Sequence, residues 1–480
     1  MGGHGGGSAG GSGSVAGAGG SAGAGASGGA PTGGQGGAAG AGASGTGGAA
    51  SGGSSGTGGL GTGGAASGGT AGTGGVGTGG VASGGTGGLG TGGAASGGTG
   101  GTGGSAGTGG TGGTLPGKCS PIVTQPNTAL SSDTYPRFDM HLAWTGSQYA
   151  AVWKKQQSLV YQYHFALLND KGARIGAEVK VTNASYEPSD VSLAHRGSEF
   201  GLSWRHPGWM DGGMMFQRLS SVGLAIGAPA RPVQPRPLGS NQYSQILEPR
   251  MVANSSGYAA VWTDVSPAGR QLYFGRIGAD GLLIGSVVPI TTAAVLPEDT
   301  HLIWTGQDYA LVWVDQRDVN REIYFTRLSV TGTKLIPEVN VTKDPTISMA
   351  PQVASSSAGL GVTWTDDQFV YFTLLKQDGS VQVARTIASD GVYFATDPQL
   401  LSTGSEFGLF MRSHSFSKGQ LYFKLITAAG VPSTPYTMTN AADEPLTPAG
   451  VFAGTGFGLV WSDRRDGQRN PFYEAVGCKF

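Results

Sequence analysis

The residues able to do chemistry in this 480-residue chain fall into two sets of carboxylates and one pair of histidines. Aspartate stands two positions after a tryptophan at Asp264, Asp315, Asp366 and Asp463, and arginine follows two later at Arg317 and Arg465. An aspartate so placed accepts backbone N–H groups in a turn and holds a guanidinium, which is a structural use. The second set, Glu187, Glu248, Glu298, Asp299, Asp443 and Glu444, precedes predicted strands on the face of those turns. Such a rim can take a cation such as calcium or a basic partner; a solvated rim is the expectation. Glycoside hydrolysis needs two carboxylates at a set separation, and no pair stands out among so many acids. His141 and His301 share the context H-L-x-W-T-G, so repetition accounts for them better than metal ligation. No H-E-x-x-H, C-x-x-C, G-x-S-x-G or P-loop occurs, so neither a metal site nor a cofactor is expected.

What must position these groups is a repeat. Short apolar runs end in Trp153, Trp204, Trp262, Trp313, Trp364 and Trp461, with Met411 in the tryptophan's place in a seventh copy. Successive anchors lie 51, 58, 51, 51, 47 and 50 residues apart. A period near 50 with about four short strands per unit predicts a β-propeller. In the fourth unit the strands read His301–Trp304, Tyr309–Trp313, Glu322–Leu328 and Glu338–Thr342, rich in β-branched and aromatic residues between Gly, Asp and Asn turns. Pro136, Pro188, Pro249, Pro351, Pro398 and Pro445 come just before the first strand of their units, and Pro297 one residue early. The first residue of a strand can lack a ladder donor.

The last unit runs out after three strands. Its missing fourth matches Pro121-Ile122-Val123-Thr124, ahead of the first unit, so an N-terminal strand is expected to close the seventh blade and hide its edge. Cys119 and Cys478 fall at that joint in repeat register, which predicts a disulfide worth roughly 5–6 kcal/mol at most. A disulfide implies an oxidising compartment. The N-terminus, MGGHGGGSAG, has neither the basic nor the apolar region of a signal peptide, so an extracytoplasmic location implies a start upstream of Met1.

Residues 1–117 hold no Lys, Arg, Asp or Glu and repeat TGGLGTGGAASGGT-like units. They have little to bury against the entropy of ordering glycine, and are expected to form a disordered tether with ends roughly 55–65 Å apart. Residues 118–480 form the propeller. A net charge of −1 carries no footprint for nucleic acid, and no apolar run is long enough for a transmembrane helix. A monomer is expected.

Units such as Trp313-Val314-Asp315-Gln316-Arg317 with Ile323-Tyr324-Phe325-Thr326-Arg327, and Trp461-Ser462-Asp463-Arg464-Arg465 with Phe472-Tyr473, resemble the propeller repeats of secreted and lipid-anchored bacterial surface proteins. The Gly-rich N-terminal stretch is similar to the spacers of such lipoproteins, without their lipidated cysteine. The first two units depart, with Lys154-Lys155 and Arg205-His206 after the tryptophan. The resemblance implies a fold and no reaction. The sialidase box S-x-D-x-G-x-T-W is absent.

The longest spacing contains an insertion from Arg231 to Tyr243, beside the turn His206–Asp211. Aromatic, Met and Arg side chains outside the repeat template suit a binding patch, placed on Trp209, Met210, Arg236 and Tyr243. The sequence therefore predicts an all-β, seven-bladed propeller serving as a binding or scaffolding module for a protein or glycan. The alternative is a carbohydrate-active enzyme with its site at the mouth of the central channel.

Overall fold

A computed structural model describes residues 120–479 except 131–135, 158–159, 184, 209–211, 240–241, 293–294, 416–417, 441–443, 466 and 468. Described residues form strands and turns only. Seven four-stranded antiparallel sheets are present. The innermost strands of successive sheets touch around a closed ring, the last meeting the first, so the sheets are the blades of a propeller.

Blade 4 shows the build. Glu298–Trp304 lies innermost, followed outward by Tyr309–Asp318, Asn320–Leu328 and Val339–Asn340. The seventh blade takes Leu446–Phe452, Gly456–Asp463 and Asn470–Lys479 from the C-terminus, and Ser120–Ala129 from the N-terminal side as its outer strand. That closing strand is antiparallel, with Ser120 opposite Lys479, Val123 opposite Val476 and Ala129 opposite Phe472. The sheet edge that the C-terminal strand would expose is thereby paired.

There is no single core. Buried residues divide into layers between neighbouring blades, such as Phe165, Leu193, Phe200 and Trp204 between blades 1 and 2. Except in blade 5, where Leu360 takes the place, a ring four positions before the anchor packs on a ring of the preceding blade. The pairs Phe165–Phe200, Phe216–Tyr258, Phe274–Tyr309, Phe372–Phe407 and Phe423–Phe457 have centroids 5.1–5.3 Å apart. Tyr473–Tyr149, at 5.3 Å, closes the circle. Each pair contributes about 0.5–1.5 kcal/mol beyond burial. This packing dictates the small residue three before the anchor. A Cβ on Gly458 would lie 2.4 Å from the Tyr149 ring, and one on Gly408 2.5 Å from Phe457.

Three prolines sit deeper in their strands than the sequence predicts. Pro249, Pro351 and Pro398 do not start strands; they lie inside the innermost ones, at bulges where pairing skips from Leu247 to Arg250, Met349 to Gln352 and Thr396 to Gln399. An innermost strand is an edge, and at a bulge a missing N–H breaks no ladder bond. The residues before these prolines, Glu248, Ala350 and Asp397, have φ of 49°, 51° and 52°, as do Asp190 and Asp299 at 55° and 48°. Left-handed backbone at non-glycine residues costs free energy and concentrates at functional positions.

Candidate functional site

The bulged ends of the innermost strands surround a cavity of about 410 Å³ at one mouth of the central channel, on the face that carries the turns after the anchors. Every blade contributes to its lining. Innermost strands have unpaired backbone N–H groups facing the channel, and side chains of the preceding blade satisfy several of them. Asp139 Oδ1 accepts from the N–H of Val191 (3.4 Å), His141 Nδ1 from Leu193 (3.4 Å) and Ser192 Oγ from Met251 (3.3 Å). Asp299 Oδ2 accepts from Ala350 (3.4 Å), and His301 Nδ1 from Val353 (3.1 Å). The two histidines are thus interblade latches. Burial pushes the His141 imidazole down to about 3, so it stays neutral and keeps accepting.

Carboxyl groups from blades 1 to 4 collect around one arginine. Burial raises Asp139, against the pull of Lys154 and the hydrogen bond donated by Tyr163, and Asp190 adds to the rise. Burial also raises Glu248, reinforced by Asp299 and Asp190 and opposed by Arg250. Arg250 lines the cavity, and its side chain makes no ion pair and no hydrogen bond among the described residues. Thr300, 4% exposed, has an unpartnered Oγ1, and Gln352 an unpartnered Oε1; both line the same cavity. Buried polar atoms left unpaired cost about 1–3 kcal/mol each, and a ligand can recover that. Sequence reading missed Arg250, Thr300 and Gln352, because nothing local marks them as channel-facing.

Of the acids predicted to form a solvated rim, Glu187 and Glu444 are about half exposed, and three of the set hold cationic side chains. Glu187 meets Lys154 at 3.4 Å, Glu298 meets Arg270 and Arg321 at 2.5 and 3.1 Å, and Glu444 meets Arg464 at 3.4 Å. Asp443 lies outside the described residues. Among those described, no three His, Cys, Asp or Glu side chains converge as metal ligands.

The anchor aspartates build clamps at the blade corners. Asp315, fully buried, accepts from Trp313 Nε1 (3.0 Å) and Arg317 Nη2 (2.5 Å), and Arg317 lies 4.3 Å over Tyr324. Asp463 repeats this with Trp461 (2.9 Å) and Arg465, which lies 4.0 Å over Phe472. In blade 5 Arg385 comes from the outer strand, 3.8 Å from Asp366 and 4.8 Å over Tyr371. Blade 1 reverses the charges. Lys155 takes the aspartate's position and meets Glu178 of the outer strand at 3.0 Å, while His164 replaces the tyrosine with its Nδ1 2.7 Å from Glu178. Although burial pushes Glu178 upward, His164 and Lys155 hold its carboxyl down, to about 2. Trp153 and Trp204, with no aspartate two positions on, have no partner for their indole N–H among the described residues, and neither has Trp364 although Asp366 follows it.

Of the predicted patch, Trp209 and Met210 lie outside the described residues. Arg236 is the missing clamp arginine of blade 3: its Nε and Nη2 donate to Asp264 at 2.8 and 2.9 Å. The insertion forms a hairpin of Pro237–Gly239 with Gln242–Tyr243, where Tyr243 is half-buried. A second cavity of about 370 Å³ joins the blade 2 turn to the insertion, between Arg205, His206, Pro207 and Pro235, Gln245. The two connections therefore do meet on adjacent blades. Cys119 and the Cys478 side chain also lie outside the described set; the backbone of Cys478 pairs with Pro121, two residues after Cys119.

No protein-family model matches this chain, and no curated protein matches it. Several solved structures align with it. The polysaccharide lyase Uly1 aligns with a TM-score of 0.50 at 10% identity, over 72% of this chain and 91% of that one. A neuraminidase-like protein from A/bat/Guatemala aligns with a TM-score of 0.42 at 7% identity, over 74% and 94%. An acylaminoacyl peptidase of Pyrococcus horikoshii aligns with a TM-score of 0.39 at 12% identity, over 69% of this chain and 48% of that one. At 10% identity the likeness to Uly1 concerns the fold.

Proposed function

We propose that this chain is a non-catalytic binding propeller, working outside the cytoplasm at a cell surface, and that it seats its ligand at the channel mouth. The observation that carries this reading is the incomplete hydrogen-bonding set there. Arg250, Thr300 and Gln352 all face a cavity of about 410 Å³ with capacity unused, a volume within the roughly 300–1,000 Å³ of small-ligand pockets. Two of the carboxyl groups in the lining have structural partners, whereas the Oε2 of Glu248 has none among the described residues. Asp139 is bound to Tyr163, Lys154 and the Val191 backbone, and Asp397 to Arg412 at 2.9 Å. Residues 1–117 act in this reading as a tether, and Cys119 and Cys478 as a disulfide locking the ring. Peptide mapping without reduction tests that bond; free thiols on both residues refute it.

The functional test probes glycan and protein arrays with the wild type and with Gln399→Trp, which fills the channel, alongside a substrate-turnover screen. Retention by the wild type, lost in the filled variant without turnover, is the expected result. Retention surviving in Gln399→Trp moves the site elsewhere, the cavity at Arg205 first, and turnover makes the protein an enzyme.

A further inference from the structure

The channel mouth has two chemically different walls. On the side of blades 5 to 7 three prolines, Pro351, Pro398 and Pro448, line it with Ala350 and Ala449, and Asp397 and Gln399 interrupt them. On the side of blades 1 to 4 it offers Asp139, Ser192, Arg250, Thr300 and His301, with Gln352 at the border. No Phe, Tyr or Trp is among the described lining residues, so there is no platform on which a flat base or aromatic ligand would stack. A ligand that satisfies both walls is apolar on one flat side and carries hydroxyl groups at its rim, able both to donate and to accept.

Charge narrows the choice. Asp139, Asp190, Glu248 and Asp299 interact electrostatically with one another or with Arg250 across the four neighbouring blades. Asp397 adds a fifth carboxylate to the lining, held by Arg412. Among the described lining residues Asp299 and Asp397 outnumber Arg250, so an incoming carboxylate or sulfate meets like charge at short range, which weakens its binding relative to a neutral ligand. Hydroxyl groups meet no such barrier: they can accept from the Arg250 guanidinium and donate to Gln352 Oε1, while Thr300 Oγ1 does either.

We infer that the channel ligand is an uncharged pyranose unit, the end of a neutral saccharide chain, lying with its C–H face on the proline wall and its hydroxyls on Arg250, Thr300 and Gln352. This rests on the reading of the channel as the binding site. The acid surplus serves as a filter against uronic and other acidic sugars, a specificity by repulsion.

The test is isothermal titration of the whole chain with neutral hexopyranose methyl glycosides and their tetramers, and with the matching uronic acid series. At least one neutral saccharide should bind, and its uronate counterpart should bind about tenfold more weakly or worse. Arg250→Met should weaken the neutral sugar about ten- to hundredfold, and Thr300→Val about fivefold with an unchanged melting temperature. Thr300→Val carries the test if Arg250→Met fails to fold. Uronates binding as tightly as neutral sugars overturn the inference, as does the absence of any neutral binding at about 10 mM. A non-saccharide captured by the wild type and lost in Gln399→Trp leaves the channel as the site and removes the sugar. A sugar bound equally by Gln399→Trp removes the channel.

Discussion

In blade 4 the position two after the anchor tryptophan holds Asp315, and its arginine lies on Tyr324. In blade 1 the same position holds Lys155, its partner is Glu178, and His164 stands in for the tyrosine. The corner is alike and the charges are exchanged. The repeat preserves an ion pair at the corner and not a fixed motif. Lys155 and Glu178 join the second strand of blade 1 to its outer one. Asp315 and Arg317 instead share one strand, and Arg317 reaches on to Glu338 at 2.5 Å. The exchange also loses a bond. Asp315 accepts the Trp313 indole N–H, a lysine cannot, and Trp153 has no partner among the described residues.

The largest effect should come from breaking the blade 4 clamp at its buried end. Asp315→Ala leaves the Trp313 N–H without a partner and Arg317 with Glu338 alone, and should cost about 2–3 kcal/mol in chemical denaturation. Loss below about 1 kcal/mol would show that the pair is ornamental. Next comes the charge exchange itself. Lys155→Asp and Glu178→Arg should each cost about 1–2 kcal/mol, discounted because both groups retain some exposure, and the double variant should recover at least half. Additive losses would mean that blade 1 depends on those particular side chains.

A third prediction contrasts blades 4 and 7 one strand outward. Where blade 4 has Thr326, donating to the Ile336 carbonyl, blade 7 has buried Glu474. Burial raises its carboxyl to about 8, opposed by Arg465. The folded state therefore favours the protonated acid: its stabilisation is complete below about pH 4.5 and is lost as the pH rises towards 8. Glu474→Gln should melt like the wild type near pH 4 and about 3–6 °C higher at pH 8. A constant difference between the two pH values would contradict this. The smallest effect belongs to Arg236→Ala, about 0.5–1.5 kcal/mol, since this arginine is half exposed although doubly bonded to Asp264. If instead ligand retention vanished with stability intact, Arg236 would be a binding residue.

The ring was legible because its determinants are local and repeated. The anchor, the small residue three before it and the ring four before it sit on one strand, and the leftover strand at residues 121–124 followed from counting. The clamp of blade 3 was not legible, since Arg236 lies 28 residues before Asp264 inside what reads as an insertion. Nor was the channel. Its latches join positions 52 apart, Asp139 to Val191 and His301 to Val353, and that spacing acquires meaning only once innermost strands are known to be neighbours. The shared H-L-x-W-T-G of His141 and His301 was the available signal, and it showed repetition without showing its purpose.

The closing strand makes the propeller a mechanical device with a preferred direction. Everything before Ser120 is attached to the outer strand of blade 7, and Ser120 lies opposite Lys479, at the end of its partner. A pull on the N-terminal stretch therefore loads the backbone bonds of that pair singly from the Ser120 end, as a zipper opens, and not all together. The force that frees 120–129 would open the circle at its one non-sequential joint before disturbing any other blade. A bond between Cys119 and Cys478 would carry that load past the hydrogen bonds to the C-terminal strand, turning a peelable seam into a strap.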